Sequence, residues 1–345
     1  MLFWQMNVLN LEFIYVMKLQ MMLMQIKIYL LSSMIMLILV IIMILITVAF
    51  FTLFERKIMA LFHYRKGPNK ISLVGMFQPF SDALKLFFKE FFFSKKSNFF
   101  YYIISPMLML LLSMSLWLIY PFTNNLILFK LNSLYIISMI SMGVYGLMIS
   151  GWSSNSSFSM IGSIRSIAQS ISYEIIFSIT MLIMLMMINS FNLNLLMMFN
   201  KNYFNKFLFF IPIIFILISM LAEINRTPFD LSEGESELVS GFNVEYSSGK
   251  FILIFLAEYS SILFMMFLLS IFILYKFNLF FFLFIILLIY LITWIRMTYP
   301  RIRYDKLMFL CWFFILPFSL INFLMYIIMY KYLLETNFIL NLSMS

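Results

Sequence analysis

Long stretches of apolar residues with almost no charge recur from one end of the chain to the other. A helix needs about 20 residues to cross about 30 Å of hydrocarbon, and eight stretches reach or approach that length. They lie at 28–54, 101–121, 133–151, 173–190, 207–224, 251–275, 279–295 and 307–330. Only 11% of the residues are charged, against roughly a quarter in soluble domains. The chain is therefore predicted to be an integral membrane protein.

The apolar stretches also determine the class of fold. In hydrocarbon every backbone N–H and C=O group needs a partner within the protein, and no alternating pattern favours a β-barrel, so the stretches must be helices. The predicted fold is all-α, with eight transmembrane helices in a membrane domain at 28–330. An N-terminal extension at 1–27, with no function assigned and without the pattern of a signal peptide, and a C-terminal tail at 331–345 complete the chain.

Lysine and arginine are distributed unevenly between the loops. Sixteen of the 23 follow the first, third, fifth and seventh predicted helices, and these loops must share one side of the membrane. The positive-inside rule places that side towards the matrix or cytoplasm and both termini on the opposite side. Most acids lie on the same side, which the rule does not require. We call it the inner side and expect the function to reside there.

Composition excludes several other functions. The single cysteine, Cys311, and the single histidine, His63, have no ligand partners nearby, so the chain should form no disulfide or thiolate metal site, and any redox metal must belong to another subunit. The net charge of +9 comes from basic residues beside the helices, which favours anionic lipid over nucleic acid as a partner. The 32 Met and 44 Phe residues have AT-rich codons and indicate mitochondrial encoding.

The first inner loop combines a basic turn with an amphipathic segment. Pro68 fixes a turn that presents Arg65 and Lys66 at the membrane surface. The segment 77–93 then predicts a helix lying in the membrane interface, capped by Ser81 or Asp82. Alternatively, the cations only fix the orientation of the neighbouring helices in the membrane, and the amphipathic helix rests in the interface without a role of its own.

The third inner loop, from Glu223 to Glu245, concentrates carboxylates. Five acids and Arg226 occur within its first fifteen residues. Crowded carboxylates near a low-dielectric medium resist ionising together, so some of their pKa values should rise towards neutrality and allow proton exchange. The alternative, an acidic loop simply bathed in water, would not need the hydrophobic Phe229 and Phe242 among the acids.

Two further acids, Glu258 and Glu174, lie inside the sixth and fourth predicted helices. A carboxylate within a membrane is costly and normally faces a polar cavity, so both are candidate proton relays. A structural hydrogen bond between helices is the alternative for each.

The two remaining inner loops have simpler patterns. The second, 152–172, is rich in serine and small residues that favour close packing and capping. The fourth, from Arg296 to Lys306, carries cations suited to pair with the acids of the third loop. No segment resembles a nucleophile with a base and an oxyanion hole, which argues against covalent hydrolysis.

Eight strings in and beside the four inner loops form a characteristic series. They are ERK, RKGPN, QPFSDALKLFFKE, GWSSNSSFS, AQSISYE, NRTPFDLSEGESELVSGFNVEYSSG, LAEYSSILFMM and YPRIRYDKLM. In content and in order across roughly 28–330 they resemble the subunit 1 family of respiratory complex I, and the longest string is highly specific for it.

The resemblance implies a membrane subunit of a proton-pumping NADH:ubiquinone oxidoreductase in the mitochondrial inner membrane. Its ubiquinone substrate would enter a chamber beside the inner loops. NADH, FMN and iron–sulfur clusters would be held by partner subunits of the peripheral arm, with other membrane-arm subunits alongside, and this chain would bind no cofactor and oxidise no NADH alone.

The family's functional residues carry over by motif. As the resemblance implies, the quinone chamber would include Arg56, Arg65, Arg226, Phe229 and Asp230. The proton channel would include Glu55, Asp82, Glu174, Glu223, Glu233, Glu235 and Glu258.

The chain departs from the family's usual residues at two places. The family commonly has Thr where this chain has Ile224, and Gly-Tyr where it has Ala60-Leu61, and neither difference removes a charge.

Two alternative functions remain. One is an ion-coupled secondary transporter, although no internal repeat is evident. The other is the homologous membrane subunit of an energy-converting hydrogenase, which uses no quinone.

Overall fold

The computed structural model describes residues 2–120, 130–201, 207–232 and 241–343, with side chains for residue 27 and from 31 to 332 within these ranges. Regular structure in these ranges is helical, without a strand. The helices are α1 (Leu2–Phe62), α2 (Gln78–Phe87), α3 (Phe99–Leu116), α4 (Asn132–Ser153), α5 (Ser157–Ile188), α6 (Leu193–Phe199), α7 (Phe210–Glu223), α8 (Ser248–Ile273), α9 (Leu279–Thr298), α10 (Tyr304–Phe309) and α11 (Leu316–Ser343). Short 3₁₀ turns lie at Leu73–Gly75, Trp117–Ile119 and Gly241–Asn243, and a π-helical turn, Leu310–Ile315, joins α10 to α11.

Seven of the described helical segments are long and apolar enough to cross a membrane. They are Leu31–Phe62, Phe99–Ile119, Asn132–Ser153, Ser157–Ile188, Ser248–Ile273, Leu279–Thr298 and Tyr304–Tyr332. Each overlaps one predicted crossing, so the prediction of an all-α integral membrane protein is confirmed. The remaining predicted crossing contains α7, whose 14 residues are fewer than the roughly 20 that a straight crossing needs.

The serine-rich stretch at 152–172 is where the helix boundaries predicted from the sequence are wrong. Helix α5 begins at Ser157, so most of the predicted second inner loop is helical. Its hydroxyls are satisfied within the helix, because Ser159, Ser163 and Ser166 each donate to a carbonyl oxygen three residues earlier. Small side chains on one face also let helices approach closely in a membrane.

Helix α2 confirms the amphipathic helix predicted in the first inner loop, but not its cap. It begins at Gln78, with Pro79 in its first turn, rather than after Ser81 or Asp82. The Asp82 side chain makes an ion pair, described below, instead of a cap. The helix packs against α1 and α8. Its exposed apolar side chains include Phe80, Leu84 and Phe87. This apolar face is suited to lie against lipid.

Helix α8 forms the centre of the bundle. Apart from Lys250 and Glu258 its side chains are uncharged and mostly apolar, and it packs against α1, α2, α3, α6, α7 and α9. In its most apolar stretch 72% of the residues are buried, more than in any other described crossing. Glu258 therefore lies on the most enclosed crossing helix of the described chain.

The predicted inner loops meet one another on one side of the bundle. The Asn98 N–H donates to the Ser153 carbonyl at 2.9 Å, which joins the first and second loops. The Ile302 N–H donates to the Pro228 carbonyl at 3.0 Å, which joins the third and fourth. These contacts place the first inner loop beside the second, and the third beside the fourth.

A close backbone contact fixes the end of the third inner loop against α5. A Cβ atom added to Gly162 would lie 3.0 Å from Gly241 Cα and 3.2 Å from the Gly241 carbonyl carbon. Both neighbours are backbone atoms of the 3₁₀ turn Gly241–Asn243, so no side-chain rotation can relieve the contact. A Cβ atom at position 162 would therefore require the backbone of the turn to shift by a few tenths of an ångström.

We expect Gly162→Ala to lower the free energy of unfolding by about 1–3 kcal/mol relative to Gly143→Ala, because overpacking forces backbone atoms apart. Gly143 is also helical, and a Cβ atom there would meet no atom within 4 Å. Both variants share the gain in helix propensity, so their difference isolates the clash. Thermal denaturation of the detergent-solubilised protein measures it, and equal stability of the two variants would contradict the close contact.

Candidate functional site

Glu55 is the centre of a buried charged cluster on the inner side. It lies near the end of α1 and is only 3% exposed. Tyr259 of α8 donates a hydrogen bond to Glu55 Oε2 at 2.7 Å, and Arg226 Nη1 lies 3.4 Å from Oε1. Arg296 of α9 donates to the same Oε1. One carboxylate therefore joins three helices and the segment that follows α7.

Arg226 remains charged in this cluster although its side chain is only 15% exposed. Its guanidinium carbon lies 4.7 Å from the centre of the Tyr259 ring. Burial alone would lower the pKa of Arg226, but the Glu55 carboxylate and the Tyr259 hydroxyl together raise that pKa above its ordinary value. Glu258 contributes in the same direction. Arg226 is thus a fixed cation between two acids on different helices.

Gln169 of α5 holds the segment that carries Arg226. Its side-chain nitrogen donates to the Ala222 carbonyl at 2.7 Å and to the Phe229 carbonyl at 2.8 Å. The Phe229 N–H donates to the Arg226 carbonyl at 2.7 Å and closes a turn between these two anchors. Buried hydrogen bonds at both ends of a loop fix its path, so the turn directs Arg226 towards Glu55.

Asp230 ends the same turn and pairs with the fourth inner loop. It is buried, and Arg301 Nη2 lies 3.3 Å from its Oδ2. The backbone contact between Ile302 and Pro228 lies beside this ion pair. The prediction that cations of the fourth loop pair with acids of the third is confirmed for Asp230.

Arg56 and Asp82 connect α1 to α2 through an ion pair of 2.6 Å. The Gln78 side chain donates a second hydrogen bond to Asp82, at 2.8 Å. The side chains of the pair are 45% and 32% exposed, so water screens their attraction. Arg56 also lines a cavity of about 410 Å³ with Arg65 and the neighbouring basic turn.

A second cavity, of about 140 Å³, lies among α3, α4, α5, α8 and the end of α7. Its polar lining includes Glu223, Arg226 and Glu258, and the rest is mainly aliphatic. Because a single water needs about 10–15 Å³ of such space, several waters fit. The fully shielded Glu223 Oε2 makes no hydrogen bond within the described part of the chain. Glu223 and Glu258 thus share one polar space that is large enough for water.

Glu174 of α5 extends this group of acids. It lies close enough to Glu223 for their charges to repel one another. With Glu55 on the other side of Arg226, four predicted channel acids on four helices are linked through space. They are Glu55, Glu174, Glu223 and Glu258.

The predicted site residues divide into groups. Arg226, Phe229 and Asp230 share one turn, whereas Arg56, Arg65 and Asp82 lie with α2 or the cavity beside the basic turn. Glu233 and Glu235 lie outside the described residues.

Three residues of the cluster were not singled out from the sequence. Arg296 and Tyr259 bind Glu55, and Gln169 holds the turn. The only local signal for Tyr259 was its place directly after Glu258. As a cation of the fourth loop, Arg296 is predicted to pair with acids of the third loop, whereas it binds Glu55 of α1. Gln169 is one polar residue in a serine-rich stretch, with no local signal for its role.

Fold and site together define a polytopic helical membrane protein with ionisable groups around an internal polar cavity. The family described as NADH dehydrogenase matches residues 35–327, and the chain belongs to that family. The resemblance found in the inner-loop strings is thereby confirmed.

Several relatives cover most of the chain. NADH-ubiquinone oxidoreductase chain 1 of Locusta migratoria is 49% identical over 289 residues, 82% of this chain and 90% of the relative. The protein of the same name from Aedes aegypti is 46% identical over 289 residues, 81% of this chain and 90% of the relative. That of Didelphis virginiana is 43% identical over 289 residues, 81% of this chain and 91% of the relative.

Glu55→Gln is expected to lower the free energy of unfolding by about 3–5 kcal/mol, because it leaves two guanidinium groups in the buried cluster without their counter-charge. The matched control is Asp305→Asn, which breaks the Arg303–Asp305 pair, 3.1 Å apart with side chains 77% and 70% exposed. An exposed pair of this kind adds little stability, so the control should unfold like the unmodified protein. Thermal denaturation compares the two variants, and an equal loss of unfolding free energy in both would show that Glu55 does not hold these helices together.

Proposed function

We propose that the chain is the membrane subunit of a proton-pumping NADH:ubiquinone oxidoreductase that couples quinone reduction to proton translocation. Its family and the names of its relatives support this proposal. The enzyme acts as a multisubunit assembly in the mitochondrial inner membrane, with the inner loops facing the matrix. NADH, FMN and iron–sulfur clusters belong to peripheral-arm partners, so the isolated chain oxidises no NADH.

The quinone chamber is proposed to lie between α2 and the turn that follows α7. The quinone's apolar tail would enter beside the exposed aromatic face of α2, and its headgroup would reach the basic cavity lined by Arg56 and Arg65. Guanidinium groups donate strong hydrogen bonds to an oxygen that becomes negative as electrons arrive. Arg226, Phe229 and Asp230 form the inner wall on the fixed turn.

Arg226 links the chamber to the proposed proton channel, and its position carries the proposal. It binds Glu55 at 3.4 Å, it is attracted to Glu258, and it lines the cavity that Glu223 shares. Negative charge appearing near Arg226 during quinone reduction would partly cancel the positive potential that Arg226 produces at Glu55 and Glu258. Each carboxylate would then hold a proton more tightly, which is the requirement for coupling electron arrival to proton uptake.

Protons taken up at the inner side would pass along the linked acids into the bundle. Glu174, Glu223 and Glu258 surround or adjoin the cavity, whose size allows water to complete the path between them. Glu55 is proposed as the acid on the chamber side of Arg226. Asp82, Glu233 and Glu235 are proposed to deliver protons from the loop surface.

Glu258→Gln is expected to reduce the number of protons translocated per electron while NADH oxidation by the assembled enzyme continues, because it removes a proton carrier and leaves every chamber residue in place. Proton uptake by reconstituted vesicles, measured alongside NADH consumption, gives the ratio. Asp305→Asn, which removes an exposed carboxylate from the same side, is the control and should keep the normal ratio. A normal ratio in Glu258→Gln would count against a channel through α8.

A photoreactive quinone analogue should label this chain in the intact complex, at residues 56–68 or 222–232. Excess ubiquinone should suppress the label, and mass spectrometry of peptides locates it. An ion-coupled transporter or a hydrogenase subunit would show no competed label there. Labelling confined to other subunits would likewise contradict a chamber built from this chain.

A further inference from the structure

Lys250 occupies an aromatic box at the start of α8. It is 6% exposed, and its Nζ makes no hydrogen bond within the described part of the chain. Instead, Nζ lies 4.3 Å from the ring centre of Phe91, 3.9 Å from that of Phe93 and 3.9 Å from that of Tyr102. Burying an ammonium group is costly unless it is compensated, and three aromatic faces supply that compensation.

The rings come from two different segments. Phe91 and Phe93 belong to the stretch that follows α2, and their rings meet edge to face with centres 4.5 Å apart. Tyr102 belongs to the first turn of α3. Between the two phenylalanines, the Phe92 N–H donates to Ser247 Oγ at 3.4 Å, a second contact of this stretch with the start of α8.

Tyr102 gives the box a rigid support. The Tyr246 ring stacks on Tyr102 with centres 4.4 Å apart and planes 7° apart. The Tyr246 hydroxyl lies 2.8 Å from Ser105 Oγ and 3.1 Å from Ser153 Oγ. The Tyr102 hydroxyl donates to the Glu245 carbonyl. Lys250 therefore attaches the stretch after α2 to a part of the bundle that is itself held from several sides.

Helix α2 thus has two attachments of unequal strength. On the α1 side it depends on the partly exposed Arg56–Asp82 pair, whose contribution water weakens. Beyond its other end, the buried Lys250 box fixes residues 91–93 to α8. Since cation–π contacts strengthen when they are removed from water, the box determines where this end lies.

We propose that Lys250 is a positioning residue that holds the stretch after α2 against α8 and thereby keeps open the passage beside α2 for the quinone tail. This inference rests on the proposed function. Without the ammonium group, residues 88–93 would occupy the passage part of the time. The apparent dissociation constant for a long-tailed quinone would then equal its intrinsic value divided by the fraction of time that the passage is open.

Lys250→Met tests this role in the assembled enzyme, because methionine keeps an apolar, unbranched stem without the charge. The KM for a long-tailed quinone should rise about three- to tenfold, which corresponds to a passage that is open for about one third to one tenth of the time, while kcat is unchanged. Electron transfer from NADH to a hydrophilic acceptor that bypasses the chamber should stay normal. Lys250→Arg, which retains a cation able to stack on the rings, should restore KM. Lys276→Met, at an exposed position three residues beyond the opposite end of α8, should change nothing.

An unchanged KM in Lys250→Met would overturn the proposal. So would an equal loss of quinone and hydrophilic-acceptor activities, since that pattern indicates a general structural defect. If Lys250→Met does not assemble, Phe93→Leu removes one ring and should raise KM in the same direction. Where both variants assemble, the double variant should be no worse than Lys250→Met alone, and additive effects would contradict a shared box.

The photoreactive analogue separates this inference from the proposed function. If the unmodified complex shows no competed label in this chain, the proposed chamber fails, and the passage proposal fails with it. If the label is present but Lys250→Met has a normal KM, the chamber stands and only the role of Lys250 is rejected.

Discussion

A carboxylate removed from water beside two guanidinium groups organises the inner side of this protein. Glu55 receives contacts from Arg226, Arg296 and Tyr259, which belong to segments far apart in the sequence. Each charge would be unfavourable at its depth alone, and together they satisfy one another. The end of α1, the middle of α8, the end of α9 and the turn after α7 are therefore joined at one place, and Arg226 also lines the cavity beside it.

The same arrangement combines stability with electrostatic sensitivity. Packing of α8 against its neighbours excludes water and lowers the local dielectric, which strengthens every charge interaction nearby. Arg226 stands where that medium meets the cavity containing Glu223 and Glu258. A group whose field reaches acids on both sides can transmit a change in charge without a large movement of the backbone.

The sequence predicted the features that depend on local pattern and could not predict those that depend on distant partners. Apolar stretches located the crossings, and the charges of the inner loops anticipated the Asp230–Arg301 pair. The serines of α5 were misassigned to a loop because serine favours turns in water, whereas here their hydroxyls bond within the helix. The loop pattern directs Arg296 to acids of the third loop and gives Lys250 no role, since nothing near either residue in the sequence reveals Glu55 or an aromatic box as its partner.

The two hydrogen bonds from Gln169 make α5 and the turn it holds a single mechanical unit. Glu174 lies five residues further along the same helix, about 7.5 Å away along its axis. Any rotation or slide imposed on the turn must therefore be shared by the backbone that carries Glu174. A displacement of the backbone at Phe229 would thus be passed to the membrane-embedded part of α5 directly, without a series of side-chain rearrangements.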